Sequence, residues 1–219
     1  MKPITTISKF RYECESSLRE TSEAFKNFNW LDKAIYASWL AQTYFFVCHS
    51  TRFLATAAGR FTVSKDALHQ RFLRHLGEEK SHEKMILSDL KTLGFNMENF
   101  QELPETKAFY ERQYYLIEHI APEVHFGYIL CLELLAALHG HATYKIVSSE
   151  FGEKSSLFLK VHGEDDLDHI EKAFSEVEKL PAELQRFVLD NFKVSSRLYG
   201  SLLFATTQVA NLKESSWAA

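Results

Sequence analysis

Two histidines and an aspartate follow one another at helical spacing in residues 157–174, LFLKVHGEDDLDHIEKAF. In an α-helix of 3.6 residues per turn, His162, Asp166 and His169 fall within about 60° of one another on the helix surface. Apolar residues continue the same stripe on either side, so the three polar side chains interrupt a face that should point to the core. Imidazole nitrogens and a carboxylate that converge in this way are typical ligands of a metal ion.

A second interruption lies in the apolar stretch ILCLELLAALHGH. Glu133 is the only acid between Glu123 and Glu150, and no lysine or arginine follows it until Lys145. Burying an isolated carboxylate costs several kcal/mol unless a cation neutralises it. Glu133 therefore predicts a cation in the core.

A third interruption lies in RFLRHLGEEKSHEKMILSDL, where Glu79 and His82 are three residues apart on the core-facing stripe. Glu78 is the competing carboxylate. Its helical neighbours include Arg71 and Arg74, which predict a solvated position for it. We therefore take Glu79 as the candidate ligand.

Together these positions supply three carboxylates and three imidazoles from three helices. A carboxylate followed three residues later by histidine is the unit with which helical bundles hold a pair of metal ions, and it occurs twice here. Oxygen and imidazole nitrogen without thiolate suit iron, or alternatively manganese, better than structural zinc. Six side chains for two ions leave coordination positions open for O2 or substrate. Beyond these ligands, the sequence predicts no catalytic residue. The six candidate ligands are Glu79, His82, Glu133, His162, Asp166 and His169.

The elements that position these residues are predicted to be helices. Apolar residues recur at helical spacing through long windows of the chain, and the alternation typical of strands is absent from the sequence. Residues such as Ser64, Gly94 and Pro104 stand where helices begin or end. The sequence thus predicts one all-α domain over residues 1–219, a bundle with seven helices at about 5–26, 30–62, 65–94, 104–120, 122–150, 154–179 and 181–213.

Composition and charge narrow the function classes. The chain has 219 residues, of which 46% are hydrophobic, enough for one soluble domain with a substantial core. Its net charge of −4 and its scattered lysines and arginines give no basic face for a nucleic acid. Three cysteines without paired spacing favour a cytoplasmic location. The N-terminus lacks the apolar segment of a signal peptide, and no apolar run reaches the ~18 residues of a membrane span.

In the order and spacing of these residues and in its helix count, the sequence resembles the heme-oxygenase-like diiron oxidases and oxygenases, also called iron-containing redox enzymes. The resemblance covers nearly the whole chain and implies the heme-oxygenase-like helical fold. It rests on the Glu-x-x-His of Glu79 and His82, on Glu133 in a later helix, and on the HxxxDxxH of residues 162–169. Some members place the first carboxylate seven residues before the histidine, where this chain has His75.

The resemblance implies a nonheme diiron enzyme that uses O2 to oxidise a small carboxylate-bearing substrate such as a fatty acid or an amino acid. Two iron ions that alternate between Fe2+ and Fe3+ and an electron donor follow from the same resemblance, and a homodimer is compatible with it. Two alternatives stay open. The fold also includes metal-independent, thiaminase-like enzymes, for which Cys131 is a conceivable nucleophile, and a helical bundle can serve as a non-catalytic interaction protein.

The second predicted helix contains the candidate substrate-binding residues. In one interpretation Arg52 pairs with the substrate carboxylate, while His49 or Tyr44 lines the pocket. In the other, Arg52 reaches solvent along the helix surface or neutralises Glu78. The sequence alone leaves both open.

Overall fold

The protein folds as a bundle of α-helices in a computed structural model. The structure describes residues 8–163 and 167–217, with the side chains of 167–169 and 211–217 left out. The all-α class predicted from the periodicity is confirmed. The helices are α1 (Lys9–Lys26), α2 (Lys33–Val47), α3 (Ser50–Arg60), α4 (Asp66–Glu79), α5 (His82–Thr92), α6 (Pro104–His119), α7 (Phe126–Leu135), α8 (His141–Phe151), α9 (Leu157–Gly163), α10 (Leu167–Glu178) and α11 (Ala182–Trp217).

The core is built around α7 and α11, which pack directly against each other. The α7 sequence FGYILCLELL is apolar on nearly every side, as expected for a helix enclosed by its neighbours. Gly127 permits the close approach of the two helices, because a Cβ there would lie 2.3 Å from the backbone oxygen of Val188. The helix α11 also packs against α1, α2 and α6. The middle of α7 is therefore held by the most extensively packed part of the bundle.

Two of the predicted long helices are each divided into two segments. The prediction of a continuous helix over 30–62 was wrong at Cys48 and His49, which separate α2 from α3. The prediction over 65–94 was wrong at Lys80 and Ser81, which separate α4 from α5. Ser81 has a φ of 76°, in the left-handed region that a residue with a Cβ seldom adopts. Backbone strain of this kind is found most often at functional sites.

The predicted helix over 122–150 is also irregular. It begins with a 3-10 turn at Pro122–His125, continues as α7, and passes through a π-helical turn at Ala136–Gly140 before α8. A π turn inserts an extra residue into the helix and frequently marks a functional site. Here the turn begins three residues after Glu133.

The helix α9 crosses the π turn at backbone contact distance. A Cβ at Gly140 would lie 2.8 Å from the Cα of Gly163, so both positions require glycine for lack of space. The helix also packs against α5 and α8. These contacts fix the backbone on both sides of His162.

Among the helices that the structure describes, none combines the length and the apolar character needed to cross a lipid bilayer. The longest of them, α11, has 36 residues and is interrupted by charged side chains such as Asp190 and Lys193.

Candidate metal centre

Three of the predicted ligands converge from three helices. One ligand atom from each of Glu79, His82 and His162 lies within 4.8 Å of the other two. Glu79 is the last residue of α4, and His82 is the first residue of α5. The break at Lys80 and Ser81 therefore falls between the two residues and turns both toward His162 of α9.

His75 connects this cluster to Glu133. Its Nε2 lies 3.7 Å from Oε1 of Glu79 and 3.9 Å from Oε1 of Glu133. On the other side of Glu79, Oε2 lies 3.5 Å from Nδ1 of His82. Two carboxylates and three imidazoles thus form one continuous group, in which the side chain of Glu133 is 20% exposed and that of His82 is 14% exposed.

The electrostatics of the group favour the ionised form of Glu79. Burial alone would raise the pKa of Glu79, but the neighbouring imidazoles of His75, His82 and His162 hold the pKa of this carboxyl well below its usual range. Burial lowers the pKa of His75, and the carboxylates of Glu79 and Glu133 outweigh this effect, so that the net pKa is raised. A carboxylate that stays ionised in a shielded site is in the form that binds a metal cation.

His162 is oriented for coordination through its outer nitrogen. Its Nδ1 lies 2.9 Å from the backbone oxygen of Phe158, and this hydrogen bond requires that Nδ1 carry the proton. The Nε2 lone pair is then available to a metal, which is the arrangement in most histidine ligands. The ring is also held between its neighbours, with centroids 4.0 Å from Phe158 and 4.8 Å from His82. The donor set and its tautomer therefore fit a metal ion of the type predicted.

Asp89 anchors the helix that bears His162. Its two carboxylate oxygens accept hydrogen bonds from the backbone N–H groups of Leu157, at 3.0 Å, and Phe158, at 2.9 Å. These are first-turn donors of α9 that lack an intrahelical acceptor. Burial raises the pKa of Asp89 to about 6, and the two backbone hydrogen bonds act in the opposite direction. Asp89 therefore positions His162 through the backbone of α9.

Replacing Asp89 by alanine is expected to lower the free energy of unfolding by about 2 to 3 kcal/mol, because two buried N–H groups lose a charged acceptor. Iron binding should weaken as well, since α9 carries His162. Urea unfolding and iron titration of the same preparation measure both effects. Asp66→Ala, which removes an exposed acid in the first turn of α4, is the control and should change the stability by less than about 0.5 kcal/mol. Equal stability of the two variants would contradict the anchoring role.

A cavity of about 430 Å³ is lined in part by the five candidate residues Glu79, His82, Glu133, His162 and His75, which we call the metal-binding group for the role proposed below. Apart from that group, its walls are mainly apolar and aromatic. They include Phe25, Trp39, Phe46, Leu54, Ile129 and Leu159. Cavities of this size enclose small organic molecules.

His125 contributes a neutral imidazole to the cavity wall. Burial lowers the pKa of His125 to about 3, and the positive charge of His75 acts in the same direction. Its Nδ1 lies 3.4 Å from Oε1 of Gln113. His125 therefore adds no positive charge to the cavity wall.

A second, polar pocket of about 260 Å³ lies against the same group. It shares three wall residues with the larger cavity, and three cationic side chains complete it. The guanidinium of Arg71 is also held over the ring of Phe126, 5.3 Å from the centroid. The lining residues are Arg71, Arg74, His75, Glu78, Glu133 and Lys172. A pocket with three cationic side chains thus adjoins the candidate metal centre and borders the larger cavity at His75, Glu78 and Glu133.

The structure brings four of the six predicted ligands together and leaves two outside its description. Glu79, His82, Glu133 and His162 line the same cavity. Asp166 and the side chain of His169 lie outside the described residues, so their assignment as ligands stays a prediction. Glu78, the competing carboxylate, is exposed as predicted, although it lines the edge of both pockets.

The predicted substrate-binding residues lie elsewhere. Tyr44, His49 and Arg52 are not among the residues that line the cavity. His49 stacks on Tyr110, with centroids 4.0 Å apart, and its Nδ1 lies 2.8 Å from the hydroxyl of Tyr114. Arg52 is exposed and donates to the backbone oxygen of Cys48. These contacts agree with the interpretation in which Arg52 follows the helix surface, and a role in substrate binding stays a prediction.

From the sequence, His75 lies near the stripe of Glu79, at a position from which it could support a ligand without binding the metal, and the structure places it between Glu79 and Glu133. The sequence did not predict the role of Asp89 or exclude Cys131 as a nucleophile. Asp89 occupies a core position between Ile86 and Leu90, which was the available indication of a buried acid. Cys131 is fully buried and lies outside the cavity wall, and burial raises the pKa of its thiol, so it does not offer a nucleophile to the cavity.

Solved structures show the same fold at low sequence identity. A domain of unknown function with a heme oxygenase-like fold from Shewanella denitrificans has a TM-score of 0.82 and 20% identity, with 96% of this chain and 97% of that chain covered. A TenA homologue from Pseudomonas syringae pv. tomato has a TM-score of 0.77 and 14% identity, with 91% of each chain covered. A TenA homologue from Pyrococcus furiosus has a TM-score of 0.69 and 17% identity, with 90% of this chain and 99% of that chain covered.

These structures establish the heme-oxygenase-like fold, which hosts more than one activity and so does not decide the reaction. No curated protein matches the sequence. The family model of the iron-containing redox enzymes matches residues 37–200, which include every predicted metal ligand. From this match and from the convergence of the ligands, the chain belongs to the iron-containing redox enzyme family.

Proposed function

We propose that the protein is a nonheme diiron enzyme that uses O2 to oxidise a small carboxylate-bearing substrate such as a fatty acid or an amino acid. The observation that carries the proposal is the convergence of Glu79, His82 and His162 beside His75 and Glu133 on the wall of a mainly apolar cavity. Membership of the iron-containing redox family supports iron as the metal. Bound iron would supply the redox chemistry and the O2 activation that protein side chains lack.

The chain would hold the two ions with three carboxylates and three imidazoles. Asp166 and His169 complete the set with the four converging residues, because they follow His162 at helical spacing. His75 would donate a hydrogen bond from Nε2 to Glu79 and attract the carboxylate of Glu133 by its charge, and so keep both carboxylates turned toward the metals. Such supporting hydrogen bonds typically contribute a factor of 10 to 100 in metal affinity or activity.

The apolar wall would exclude water from the reacting atoms. Phe158 packs on the ring of His162, and Leu159 and Ile129 line the adjoining space. In a site without bulk water, charges act more strongly and reactive species are not hydrolysed. The cavity would thereby direct the oxidising power of the centre to the bound substrate.

The polar pocket would receive the negatively charged end of the substrate. Arg71, Arg74 and Lys172 place three positive charges beside Glu133 and His75, at the boundary between the pocket and the metal-binding group. A carboxylate held there lies next to the metals, while the remainder of the molecule extends into the apolar cavity. Arginine is well suited to this task because its planar guanidinium binds carboxylates in pairs of hydrogen bonds.

The proposal is tested by adding Fe(II) to the metal-free protein under anaerobic conditions and then admitting O2. We expect close to two iron ions per chain by metal analysis and a transient visible absorption band after mixing. Substrate oxidation should require both iron and an external electron donor. Protein treated with a chelator is the control.

Two outcomes would contradict the proposal. Metal-free protein that oxidises the substrate equally well would exclude an iron mechanism. Stable iron binding without any reaction with O2, in the presence of varied carboxylate substrates, would indicate a structural metal instead.

A further inference from the structure

Two buried hydroxyl groups on the cavity wall have no hydrogen-bond partner among the described residues. They belong to Thr43 of α2 and Tyr128 of α7, and both residues line the large cavity. The side chains are almost fully shielded, with exposures of 1% for Thr43 and 3% for Tyr128. Buried hydroxyls are nearly always hydrogen-bonded, since an unpaired one loses its interaction with water without replacement. Two such groups on one wall indicate a partner that enters the cavity.

Tyr199 adds a third hydroxyl to the same wall. Its oxygen accepts a hydrogen bond from Nε1 of Trp39 at 3.1 Å, while no described residue accepts the proton of the Tyr199 hydroxyl itself. Thr43 lies one turn from both Trp39 and Phe46 on α2, and the ring of Phe46 contacts that of Tyr199. Tyr128 and Tyr199 in turn contact the same ring, that of Phe109. Thr43, Tyr128 and Tyr199 therefore form one group, which we call the hydroxyl wall.

The hydroxyl wall is separated from the metal-binding group along α7. Tyr128 precedes Glu133 by five residues, which corresponds to about 7.5 Å along the helix axis. We therefore expect a ligand that touches both places to be a chain or ring system several bonds long. A terminal methyl group at the hydroxyl wall would leave the hydroxyls unpaired, whereas a polar end group would pair with them.

The charge of the surroundings defines that end group as neutral. No lysine or arginine is among the described residues that line the cavity. A second carboxylate at the hydroxyl wall would be buried without a cation, at a large desolvation cost. A hydroxyl or carbonyl group makes the same hydrogen bonds without this cost.

We propose that the substrate is a carboxylate whose far end carries a neutral hydrogen-bonding group, a hydroxyl or a carbonyl, that binds Thr43, Tyr128 and Tyr199. This inference rests on the proposed function for the position of the carboxylate beside the metals. It narrows the substrate class. The carboxylate of a plain fatty acid of equal length would bind beside the metals, but its terminal methyl would form no hydrogen bond with the hydroxyl wall.

The test compares octanoate with 8-hydroxyoctanoate, which differ by the terminal hydroxyl alone. Calorimetric titration of the anaerobic Fe(II)-loaded protein should give about tenfold tighter binding of 8-hydroxyoctanoate. Tyr128→Phe and Thr43→Val should each reduce this ratio toward one, because 8-hydroxyoctanoate loses a hydrogen bond and octanoate no longer leaves a hydroxyl unpaired. Neither variant should lower the melting temperature of the free protein, since each removes a hydroxyl that has no protein partner.

Matched controls are Tyr36→Phe and Thr206→Val, which remove buried hydroxyls outside the cavity. The hydroxyl of Tyr36 donates to the backbone oxygen of Ser155, and that of Thr206 donates to the backbone oxygen of Leu202. Both controls should keep the tenfold preference. If either cavity variant fails to fold, the other still provides the comparison.

Equal binding of the two probes by the unaltered protein would overturn the inference, as would a preference that survives in both Tyr128→Phe and Thr43→Val. The first result would mean that the hydroxyl wall holds bound water only. Repeating the titrations with metal-free protein separates this inference from the proposed function. A preference for 8-hydroxyoctanoate without iron uptake would retain the hydroxyl wall and reject the diiron enzyme.

Discussion

Glu133→Ala is expected to lower iron affinity by more than about 100-fold and to abolish O2-dependent activity. The loss should exceed the 10- to 100-fold that residues supporting a ligand contribute, because the carboxylate itself is removed. Glu133 also contacts His75: its Oε1 lies 3.9 Å from Nε2 of His75, and the same nitrogen lies 3.7 Å from Glu79. Metal analysis after anaerobic iron loading and steady-state turnover would measure the two losses.

The stability of the metal-free variant distinguishes a ligand from a structural residue. In the metal-free protein the lost attraction between Glu133 and His75 opposes the removed desolvation cost, so Glu133→Ala should change the melting temperature little. Glu78→Ala is the matched control, since Glu78 is exposed and borders both pockets; it should retain iron. An iron-binding Glu133→Ala variant with a lowered melting temperature would show that Glu133 stabilises the fold and does not bind the metal.

Gly163→Ala is expected to lower the free energy of unfolding by about 2 to 3 kcal/mol and to weaken iron binding at the same time. A Cβ at this position would lie 2.7 Å from the carbonyl carbon of Gly140 and 2.8 Å from the backbone nitrogen of His141. Both are backbone atoms that cannot rotate away, so α9 must shift against the π turn. The shift would displace His162, the adjacent residue.

The sign of the change in the free energy of unfolding distinguishes a crowded helix crossing from an ordinary helical position. In an unconstrained helix, alanine in place of glycine stabilises by up to about 1 kcal/mol. Gly59→Ala in α3 is the control, because a Cβ there meets nothing within 4 Å, and it should be neutral or stabilising. Urea unfolding of both variants and iron titration of each would measure the contrast. A stabilised Gly163→Ala variant with full iron affinity would show that the crossing has room for a side chain.

The helical class and much of the candidate site followed from sequence periodicity. Glu79, Glu133 and His162 each interrupt an apolar stripe. An apolar stripe identifies the side of a helix that faces the core, even when the packing of the helices is unknown. Periodicity could not locate the break at Ser81, because neither glycine nor proline marks it. The elements on either side of Ser81 pack against different partners, α4 against α3 and α5 against α2 and α9, and a local pattern does not contain these contacts.

Contacts between distant residues were likewise beyond the sequence. Asp89 lies 68 residues before Leu157 and accepts a hydrogen bond from its backbone N–H. The sequence around either residue gives no indication of this contact. The hydroxyls of Thr43 and Tyr128 were unrecognised for the same reason, since threonine and tyrosine are ordinary residues of an apolar helix. Their meaning depends on the cavity that α2 and α7 share.

Three of the four described candidate ligands stand at helix ends, and the fourth stands just before the π turn that joins α7 to α8. Glu79 closes α4, His82 opens α5, His162 is the penultimate residue of α9, and Glu133 lies two residues before the end of α7. Coordination distances can therefore adjust through a few torsion angles at these ends while α11 and the first turns of α7 keep their packing. We therefore expect metal entry and release to be local events, with the bundle already folded when an ion binds.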